Sequence, residues 1–496
     1  MTLNGTTENK FNSTTLSSRR DKVALSAVFI VAGLVFALIS LVNHYLFKTF
    51  ALDLGLYTHA MYDYTHFRVD DCSMFKAVPQ CILSDHFDLY LVAFSPLIYV
   101  FGSYTLLIVQ IAAVLLGGWG VYKLIGLYTN DLWLPVLASA TLFFSFGIIH
   151  PFGFDYHSNV LTAMMLPWLL YFLKRRKFGW ATLFVVLFVI GKENMSLWLF
   201  FVVVGLMWDY RKDKKTLWYL AAYAVFSIAY FFIVNMIVMP RLGGSGGGFE
   251  RYAYLGSNYA EIAKNLASHP LETIKILFTN TLGKPNYDGI KEEFYMCAFA
   301  TGLIFTLLKP NYLFMLIPLI GQKMLASDSL FWGVSLQYSV EFMPVLVVSS
   351  YLVIVRLKKR LPQLVLSSAL LLSTILTTFY TIGIPKSFVV PEHLCVYQGR
   401  HYRQSTYDAG YVRELMRQIP DDASVCAATT FVPHLVFRPE IYDFFGVGDL
   451  VQADYYLIHK DYFEYRKGDQ LIFTHRSDYE TVATDGTIYL LRKKQP

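Results

Sequence analysis

The most constraining feature of this 496-residue sequence is a series of long apolar segments. A helix that spans the hydrocarbon core of a bilayer needs about 20 mostly apolar residues. Hydrophobic residues make up 55% of the chain and charged residues only 16%, against about 25% charged in a typical soluble domain. The sequence therefore predicts an all-α polytopic membrane protein. Its apolar segments lie near residues 23–47, 87–101, 104–127, 132–149, 158–173, 178–191, 194–208, 216–239, 293–308, 311–326, 337–355 and 361–383.

Three basic clusters, at residues 174–177, 211–215 and 356–360, orient these segments. Cytoplasmic loops are enriched in Lys and Arg, and all three clusters fall on that side only if 87–101 does not cross. That segment is short and contains Pro96. The prediction is about eleven transmembrane helices in the bacterial cytoplasmic (inner) membrane, with a cytoplasmic amino terminus and an extracytoplasmic carboxyl terminus.

Three regions follow from this topology: a cytoplasmic amino-terminal segment (1–22), a transmembrane domain (23–384) and an extracytoplasmic domain (385–496). The transmembrane domain carries external loops at 48–103 and 240–292. Short alternating runs predict a small α/β fold for the carboxyl-terminal domain. Its predicted strands are 424–430, 453–459, 470–474 and 487–491, with a helix at 411–417 and a hairpin turn at 485–486.

Charge and cysteine usage limit the partners. The net charge is +6, and no basic stripe interleaved with aromatic residues is present, so nucleic acid is not an expected partner. Cys72 and Cys81 share one polar loop. They fit a disulfide in an oxidising compartment and fit two free thiols about equally well.

Ionisable residues beside apolar segments are functional candidates because burying charge near a membrane is costly. Asp53 follows the first span, and it fits a functional carboxylate and a cap of the next helix equally well. Lys192 and Glu193 interrupt the apolar stretch 178–208, where two short segments predict a V with an outward apex. Glu193 or a lipid phosphate would neutralise this lysine. Further candidates are Asp85, His86, Asp155 and His157.

Several short motifs, taken in order, resemble an uncharacterised family of bacterial predicted membrane proteins that is similar to the GT-C glycosyltransferases. The similarity extends over about residues 25–460. The motifs are Asp53-Leu54-Gly55, Ser84-Asp85-His86-Phe87, Phe154-Asp155-Tyr156-His157, Gly191-Lys192-Glu193-Asn194 and Phe431-Val432-Pro433-His434-Leu435.

This resemblance implies an enzyme that moves a sugar from a polyprenyl-phosphate donor in the membrane to an unknown glycan, lipid or protein acceptor at the extracytoplasmic face. Asp53 occupies the place of the catalytic carboxylate, although Leu54 stands where protein mannosyltransferases have a second acid. Six residues are expected to bind substrate or phosphate: Lys192, Glu193, Arg241, Asp85, His86 and His157. Asp155 and His157 are the expected ligands of a divalent cation, Mg²⁺ or Mn²⁺.

Two other functions remain open from the sequence. One is a transporter or flippase of a lipid-linked or anionic substrate, with Lys192 and Glu193 at a midplane site. Against it, no pair of corresponding interrupted helices is visible in two halves of the chain. The other is a membrane scaffold whose carboxyl-terminal domain binds a partner.

Overall fold

The computed structural model describes residues 19–69, 72–76, 81–244, 249–467, 470–471 and 473–495. Within them a large helical region precedes a small α/β domain, called here the tail domain (residues 385–496). The helical region contains α1 (Arg19–Tyr45), α2 (Leu56–Thr65), α3 (Leu89–Phe94), α4 (Ile98–Phe101), α5 (Thr105–Ile125), α6 (Trp133–Phe143), α7 (Phe146–Phe152), α8 (Ser158–Ala163), α9 (Met165–Lys174), α10 (Phe178–Val189), α11 (Met195–Asp209), α12 (Lys214–Ile233), α13 (Met239–Arg241), α14 (Tyr259–Ser268), α15 (Pro270–Phe278), α16 (Ile290–Ala298), α17 (Ile304–Thr306), α18 (Pro310–Met315), α19 (Ile317–Met324), α20 (Ser329–Trp332), α21 (Phe342–Ile354) and α22 (Arg360–Gly383).

Several helices of the helical region have the length and apolar composition of membrane spans. Among the described residues four helical stretches are long and apolar enough to cross a bilayer, and α6 with α7 forms a fifth that is bent by 47°. The four are Lys22–Tyr45, Leu89–Ile125, Lys214–Arg241 and Arg360–Gly383. A multi-pass membrane protein is therefore confirmed, whereas the count of eleven crossings stays a prediction.

The stretch Leu89–Ile125 is not one span. At 1.5 Å per residue its 37 residues would measure about 55 Å, well beyond the roughly 30 Å hydrocarbon core. Gly102 interrupts it, with a φ of 56° and a ψ of −141° that no helix adopts. The 21 residues of α5 match the bilayer alone. This break separates the segment 87–101 from the next span, and the prediction that 87–101 does not cross the membrane stays a prediction.

Glycines in α5 bring it unusually close to its neighbours, since small residues let membrane helices approach. A Cβ atom on Gly118 would lie 2.0 Å from the Phe143 ring on α6. A Cβ on Gly117 would lie 2.3 Å from the Met164 sulfur, between α8 and α9. The position of α5 therefore depends on the absence of side chains at these two sites.

We expect Gly118→Val to lower the stability of the protein by at least about 1–3 kcal/mol, because the new side chain must displace a fully buried ring. The measurement is the unfolding temperature in detergent, followed by size-exclusion fluorescence. Gly179→Val is the matched control, since a Cβ at Gly179 meets no atom within 4 Å. Equal unfolding temperatures for the two variants would show that α5 does not pack as described.

The tail domain has a mixed five-stranded sheet. Its strand order is β2-β1-β3-β7-β6, with β2, β1 and β3 parallel and β7 and β6 antiparallel, while β4 and β5 form a separate pair. Its elements are α23 (Pro391–Leu394), α24 (Ala409–Met416), β1 (Val425–Ala427), β2 (Ile441–Asp443), α25 (Phe444–Val447), β3 (Tyr455–His459), β4 (Arg466–Lys467), β5 (Gln470–Leu471), β6 (Tyr479–Thr484) and β7 (Ile488–Lys493).

The predicted α/β tail is confirmed in outline. β1, β3 and α24 lie where the sequence predicts them, and the β6–β7 hairpin turns at Asp485 and Gly486, where Gly486 has a φ of 85°. Three strands were not predicted from the sequence: β2 and β4, which are only three and two residues long, and β6, whose residues are mostly exposed. Of the predicted strand 470–474 the structure has Gln470–Leu471 as β5, and Thr474 begins a helical turn. Buried residues of the tail and of the helical region form one continuous apolar cluster, so the two parts share a core.

Candidate functional site

Asp53 lies in a strained loop between α1 and α2, called here the Asp53 loop (residues 50–55). Its φ of 67° and ψ of −85° are close to a γ-turn that is rare outside glycine. Such a backbone costs about 1–3 kcal/mol and persists only where the surroundings impose it. Helical backbone begins at Leu54, directly after Asp53, so Asp53 stands at the cap position and the helix-cap alternative stays open.

The Asp53 carboxylate lies close to a tyrosine hydroxyl. Tyr57, the buried second residue of α2, forms a side-chain hydrogen bond with Asp53. Burial is the main cause that raises the pKa of Tyr57 well above its usual value, and the charge of Asp53 adds to it. The tyrosine therefore stays protonated and donates a hydrogen bond to the carboxylate. Asp53 itself is half-buried.

Two distant parts of the chain hold the Asp53 loop in place. The Asp155 Oδ2 atom accepts a 2.9 Å hydrogen bond from the Phe50 amide, and the Thr429 hydroxyl accepts one of 3.3 Å from the Ala51 amide. Thr429 follows β1, and Asp443 ends the parallel neighbour β2, so the carboxyl edge of these strands faces the loop. The tail domain thus supports the candidate catalytic residue directly.

Close packing adds to the contact between the Asp53 loop and the tail domain. A Cβ atom on Gly55 would lie 3.2 Å from the Val432 side chain, in the motif 431–435. His59 on α2 also forms a 3.0 Å hydrogen bond from Nδ1 to the Val436 carbonyl. The sequence analysis singled out this tail motif without a role, and the structure places it beside the Asp53 loop.

A buried glutamine fixes the loop that carries Asp155 and His157. The Gln110 Nε2 atom donates to the Asp155 carbonyl, and its Oε1 accepts from the His157 amide, both at 2.9 Å. Asp155 needs this support because it has a positive φ of 60°. Sequence reasoning missed Gln110, although a lone amide in the middle of the apolar helix α5 is a usable signal.

We expect Gln110→Leu to destabilise the protein by at least about 2 kcal/mol, because it leaves a buried carbonyl and a buried amide without partners. Thermal unfolding in detergent measures the loss. The matched control is Gln363→Leu on α22, where the amide donates to two carbonyls at the half-exposed end of a helix. A loss no larger than that of the control would contradict the proposed clamp.

His157 is a neutral, buried imidazole. Its Nε2 donates to the Phe154 carbonyl at 2.7 Å, which leaves Nδ1 as an acceptor. Burial is the main cause that lowers the pKa of His157 to about 4, with the charge of Asp53 raising it and that of Lys192 lowering it further. His157 therefore lies within electrostatic range of both the candidate catalytic carboxylate and the candidate phosphate-binding lysine.

Lys192, His86 and Glu193 form a chain of contacts at the turn between α10 and α11. The Lys192 Nζ atom lies 3.1 Å from His86 Nε2, and His86 Nδ1 lies 3.4 Å from Glu193 Oε1. Because an ammonium can only donate, His86 Nε2 accepts and its proton is on Nδ1, facing Glu193. The structure thus brings three of the predicted binding residues together.

Glu193 acts as the anchor of this chain. Its Oε2 atom also accepts a 3.2 Å hydrogen bond from the Phe87 amide. Burial opposes ionisation of the carboxyl, but the interaction with His86, followed by the charge of Lys192, outweighs burial and lowers the pKa of Glu193 to about 2. Glu193 is therefore ionised at neutral pH and holds His86 rather than facing a ligand.

Asp85 and Arg241 lie at the edge of this group. Both side chains are exposed. A Cβ on Gly244, just after α13, would lie 2.3 Å from the Ser84 carbonyl, so the Arg241 segment packs against the segment that carries Asp85. These two residues therefore lie on neighbouring segments, and among the described residues neither forms a hydrogen bond or salt bridge with Lys192.

Asp155 and His157, the two residues expected to bind a divalent cation, each already use one side-chain atom in a hydrogen bond to the backbone. Asp155 Oδ2 is committed to the Phe50 amide and His157 Nε2 to the Phe154 carbonyl. Within the described ranges no group of three or more His, Cys, Asp and Glu side chains has a metal-binding arrangement. A metal at Asp155 and His157 therefore stays a prediction, and each side chain would contribute only its remaining atom.

Two further buried polar residues were not foreseen. Asn159 on α8 donates from Nδ2 to Glu341 Oε1 at 2.8 Å, and both side chains are buried. Glu341 precedes α21, and an acid in the apolar segment 337–355 is the signal that could have pointed to it.

The two cysteines of the first external loop, Cys72 and Cys81, are both buried.

An apolar cavity of about 260 Å³ lies beside the Asp53 loop. Phe50 and Leu52 of the loop contribute one wall, Phe154 another, and Phe388 and Leu394 of the tail domain close it. Leu52 is 54% exposed. An apolar group bound in this cavity would contact Leu52, the residue directly before Asp53.

Comparison with known proteins agrees with this architecture. The model of a family described as "Predicted membrane protein (DUF2079)" matches residues 43–477, which is most of the chain. The chain belongs to this family. No curated protein matches the sequence. The resemblance to a family of predicted membrane proteins is therefore confirmed.

A solved structure shows which fold this DUF2079 member shares. It is similar to the crystal structure of ArnT from Cupriavidus metallidurans bound to undecaprenyl phosphate, with a TM-score of 0.53 and 10% sequence identity. The similarity covers 96% of this chain and 98% of that chain. ArnT is a GT-C glycosyltransferase. The GT-C-like fold is confirmed for the DUF2079 chain, and at this identity the likeness concerns the fold alone.

Proposed function

We propose that this protein is a GT-C-like membrane glycosyltransferase that moves a sugar from a polyprenyl-phosphate donor to an acceptor at the extracytoplasmic face. The observation that carries the proposal is that Asp53 and Lys192 both lie within electrostatic range of the buried His157. A carboxylate and an ammonium near one another suit a base for the acceptor and an electrostatic partner for a leaving phosphate.

Lys192 is proposed to bind the donor phosphate. An ammonium has three N–H donors, and His86 takes one of them, which leaves two for phosphate oxygens. Glu193 orients His86 and thereby the lysine. Since the leaving phosphate gains negative charge as the sugar departs, a fixed ammonium stabilises the transition state more than the ground state.

Asp53 is proposed as the general base. The acceptor hydroxyl loses its proton to the carboxylate while its oxygen bonds to the anomeric carbon, and the bond from that carbon to the phosphate oxygen breaks. Tyr57 donates to one side of the carboxylate and so fixes its orientation. The strained backbone at Asp53 supports the same role, because strain of this kind concentrates at functional sites.

The apolar cavity is proposed to take the first part of the prenyl chain. Its aromatic and aliphatic walls suit hydrocarbon, and it adjoins the Asp53 loop. The similar ArnT structure holds undecaprenyl phosphate, which supports the choice of donor class. A divalent cation at Asp155 and His157, if bound, would supply positive charge for the phosphate, and no step proposed here depends on it.

The test is an electron cryomicroscopy structure of the protein in nanodiscs with undecaprenyl phosphate, determined with and without Mg²⁺. The expected result is phosphate density within about 4 Å of Lys192 Nζ, since that is the range of an ion pair. The lipid-free protein is the control. A phosphate bound elsewhere, with a continuous polar pathway between the helices, would overturn the proposal and favour a transporter.

A further inference from the structure

A second, polar pocket of about 470 Å³ lies outside the site described above. Its walls come from two segments that the catalytic proposal does not use, the end of α19 with its following turn and the long connection between α13 and α16. The charged side chains that line it are Glu250, Arg251, Lys284 and Asp328. Tyr287 and Ser327 add a ring and a hydroxyl.

Hydrogen bonds fix one wall of this pocket before any ligand binds. The Ser327 amide donates to the Arg251 carbonyl at 2.8 Å. The Tyr252 and Tyr254 hydroxyls donate to the carbonyls of Gln322 and Leu325 at 2.7 and 2.9 Å. The turn Phe249–Leu255 is therefore attached to the end of α19 at three points, and Arg251 has a defined position.

The opposite wall is fixed by its own contacts. The Asn280 Nδ2 atom donates to the Lys284 carbonyl and to Asp288 Oδ1, both at 2.8 Å. These bonds close the turn that presents Lys284 and Tyr287. A pocket with two preformed walls binds without a large ordering cost.

The pocket carries two cations, Arg251 and Lys284, and two carboxylates, Glu250 and Asp328. Among the described residues neither Arg251 nor Lys284 forms a salt bridge, whereas Asp328 uses one oxygen to cap α20 through the Leu330 amide. Arg251 stacks 4.7 Å over the Phe331 ring. Both cations therefore line the pocket without a close ion pair to another described residue.

Two stacked rings lie beside the pocket next to Arg251. Phe331, under Arg251, stacks on Tyr338 with a centroid distance of 4.1 Å. Tyr338 in turn lies within electrostatic range of both Asp53 and Arg251. The pocket cation and the candidate base therefore both lie within electrostatic range of one tyrosine.

We propose that this pocket binds the acceptor, and that the acceptor presents there a sugar bearing an acidic group. Arg251 and Lys284 would hold the phosphate or carboxylate, because guanidinium and ammonium are the usual partners of such groups. Glu250 and Asp328 would accept hydrogen bonds from sugar hydroxyls, and the Tyr287 ring offers a flat apolar surface to the sugar. The inference rests on the proposed transferase function and names its acceptor class.

The test measures sugar binding to the full-length protein in phosphatidylcholine nanodiscs by saturation-transfer NMR, with glucose 6-phosphate, glucuronate and glucose as probes. We expect the two acidic sugars to bind and glucose to bind at least about tenfold more weakly, as expected for the loss of one charge-assisted contact. Lys284→Gln should weaken the acidic sugars by a similar factor. Lys264→Gln, on α14 in the same connection, is the matched control and should change nothing.

Equal binding of glucose and the acidic sugars, or no effect of Lys284→Gln, would overturn the proposal. Arg251→Lys serves as a second variant, because it retains the charge if Arg251 is also needed for folding. Asp53→Asn should leave sugar binding unchanged, so failure of the transferase proposal and failure of this one are distinguishable. Nanodiscs with added phosphatidylinositol separate the sources, since competition would assign a lipid headgroup and its absence a soluble acceptor.

Discussion

Asp53→Asn should reduce release of polyprenyl phosphate from a lipid-linked sugar at least about 100-fold, because a general base contributes roughly 10²–10⁴ to such rates. Asparagine has the same shape and tolerates positive φ better than most residues, so the loop keeps its conformation. Mass spectrometry of lipids extracted from proteoliposomes measures the product. Binding of undecaprenyl phosphate should remain, since Lys192 is unchanged.

The matched control for this variant is Asp422→Asn, which removes an exposed carboxylate from a turn of the tail domain. It should leave both release and unfolding temperature as they are. Normal release by Asp53→Asn in a protein that still binds the lipid would remove Asp53 from the reaction. It would also leave the strain at this residue without a chemical explanation.

Lys192→Met should lower the same release by about 10²–10³, the usual effect of removing a group that stabilises charge in a transition state. Affinity for undecaprenyl phosphate should fall as well, because the lysine binds the phosphate in the ground state too. Methionine preserves the apolar stem of lysine, so the turn between α10 and α11 keeps its packing. Release and affinity are measured in the same proteoliposomes.

Lys212→Met, in the exposed basic cluster before α12, is the control for loss of one positive charge. Lys192→Arg should recover part of the release, because the charge returns with a different shape. A Lys192→Met variant that retains full affinity would mean that the lysine serves only as the partner of His86 and Glu193. The phosphate would then have to bind elsewhere.

The membrane topology predicted from sequence was sufficient to bring part of the site together. Lys192, Glu193 and His86 were placed on one face from the positions of basic clusters, and the structure brings these three into contact. The order of motifs also predicted the family and the GT-C-like fold, both of which are confirmed. Charge distribution along a chain is enough for this level of inference, because it decides which segments share a side of the membrane.

The atoms that each side chain uses could not be predicted in this way. Asp155 and His157 have residue types that suit a metal, yet one atom of each is taken by a backbone group of its surroundings. Gln110 acts through two backbone groups some 45 residues away, and only the packing of α5 against that loop reveals it. Sequence gives the type of a ligand, whereas tertiary contacts decide which of its atoms are free.

The contact between Ala51 and Thr429 also sets when the Asp53 loop gains its support during synthesis of the chain. The two residues are 378 positions apart, and ribosomes add about 5–20 residues per second. The Asp53 loop therefore waits about 20–75 s after its own synthesis for the segment that supports it. A nascent chain whose helical region is already made would lack this support until Thr429 has emerged and docked.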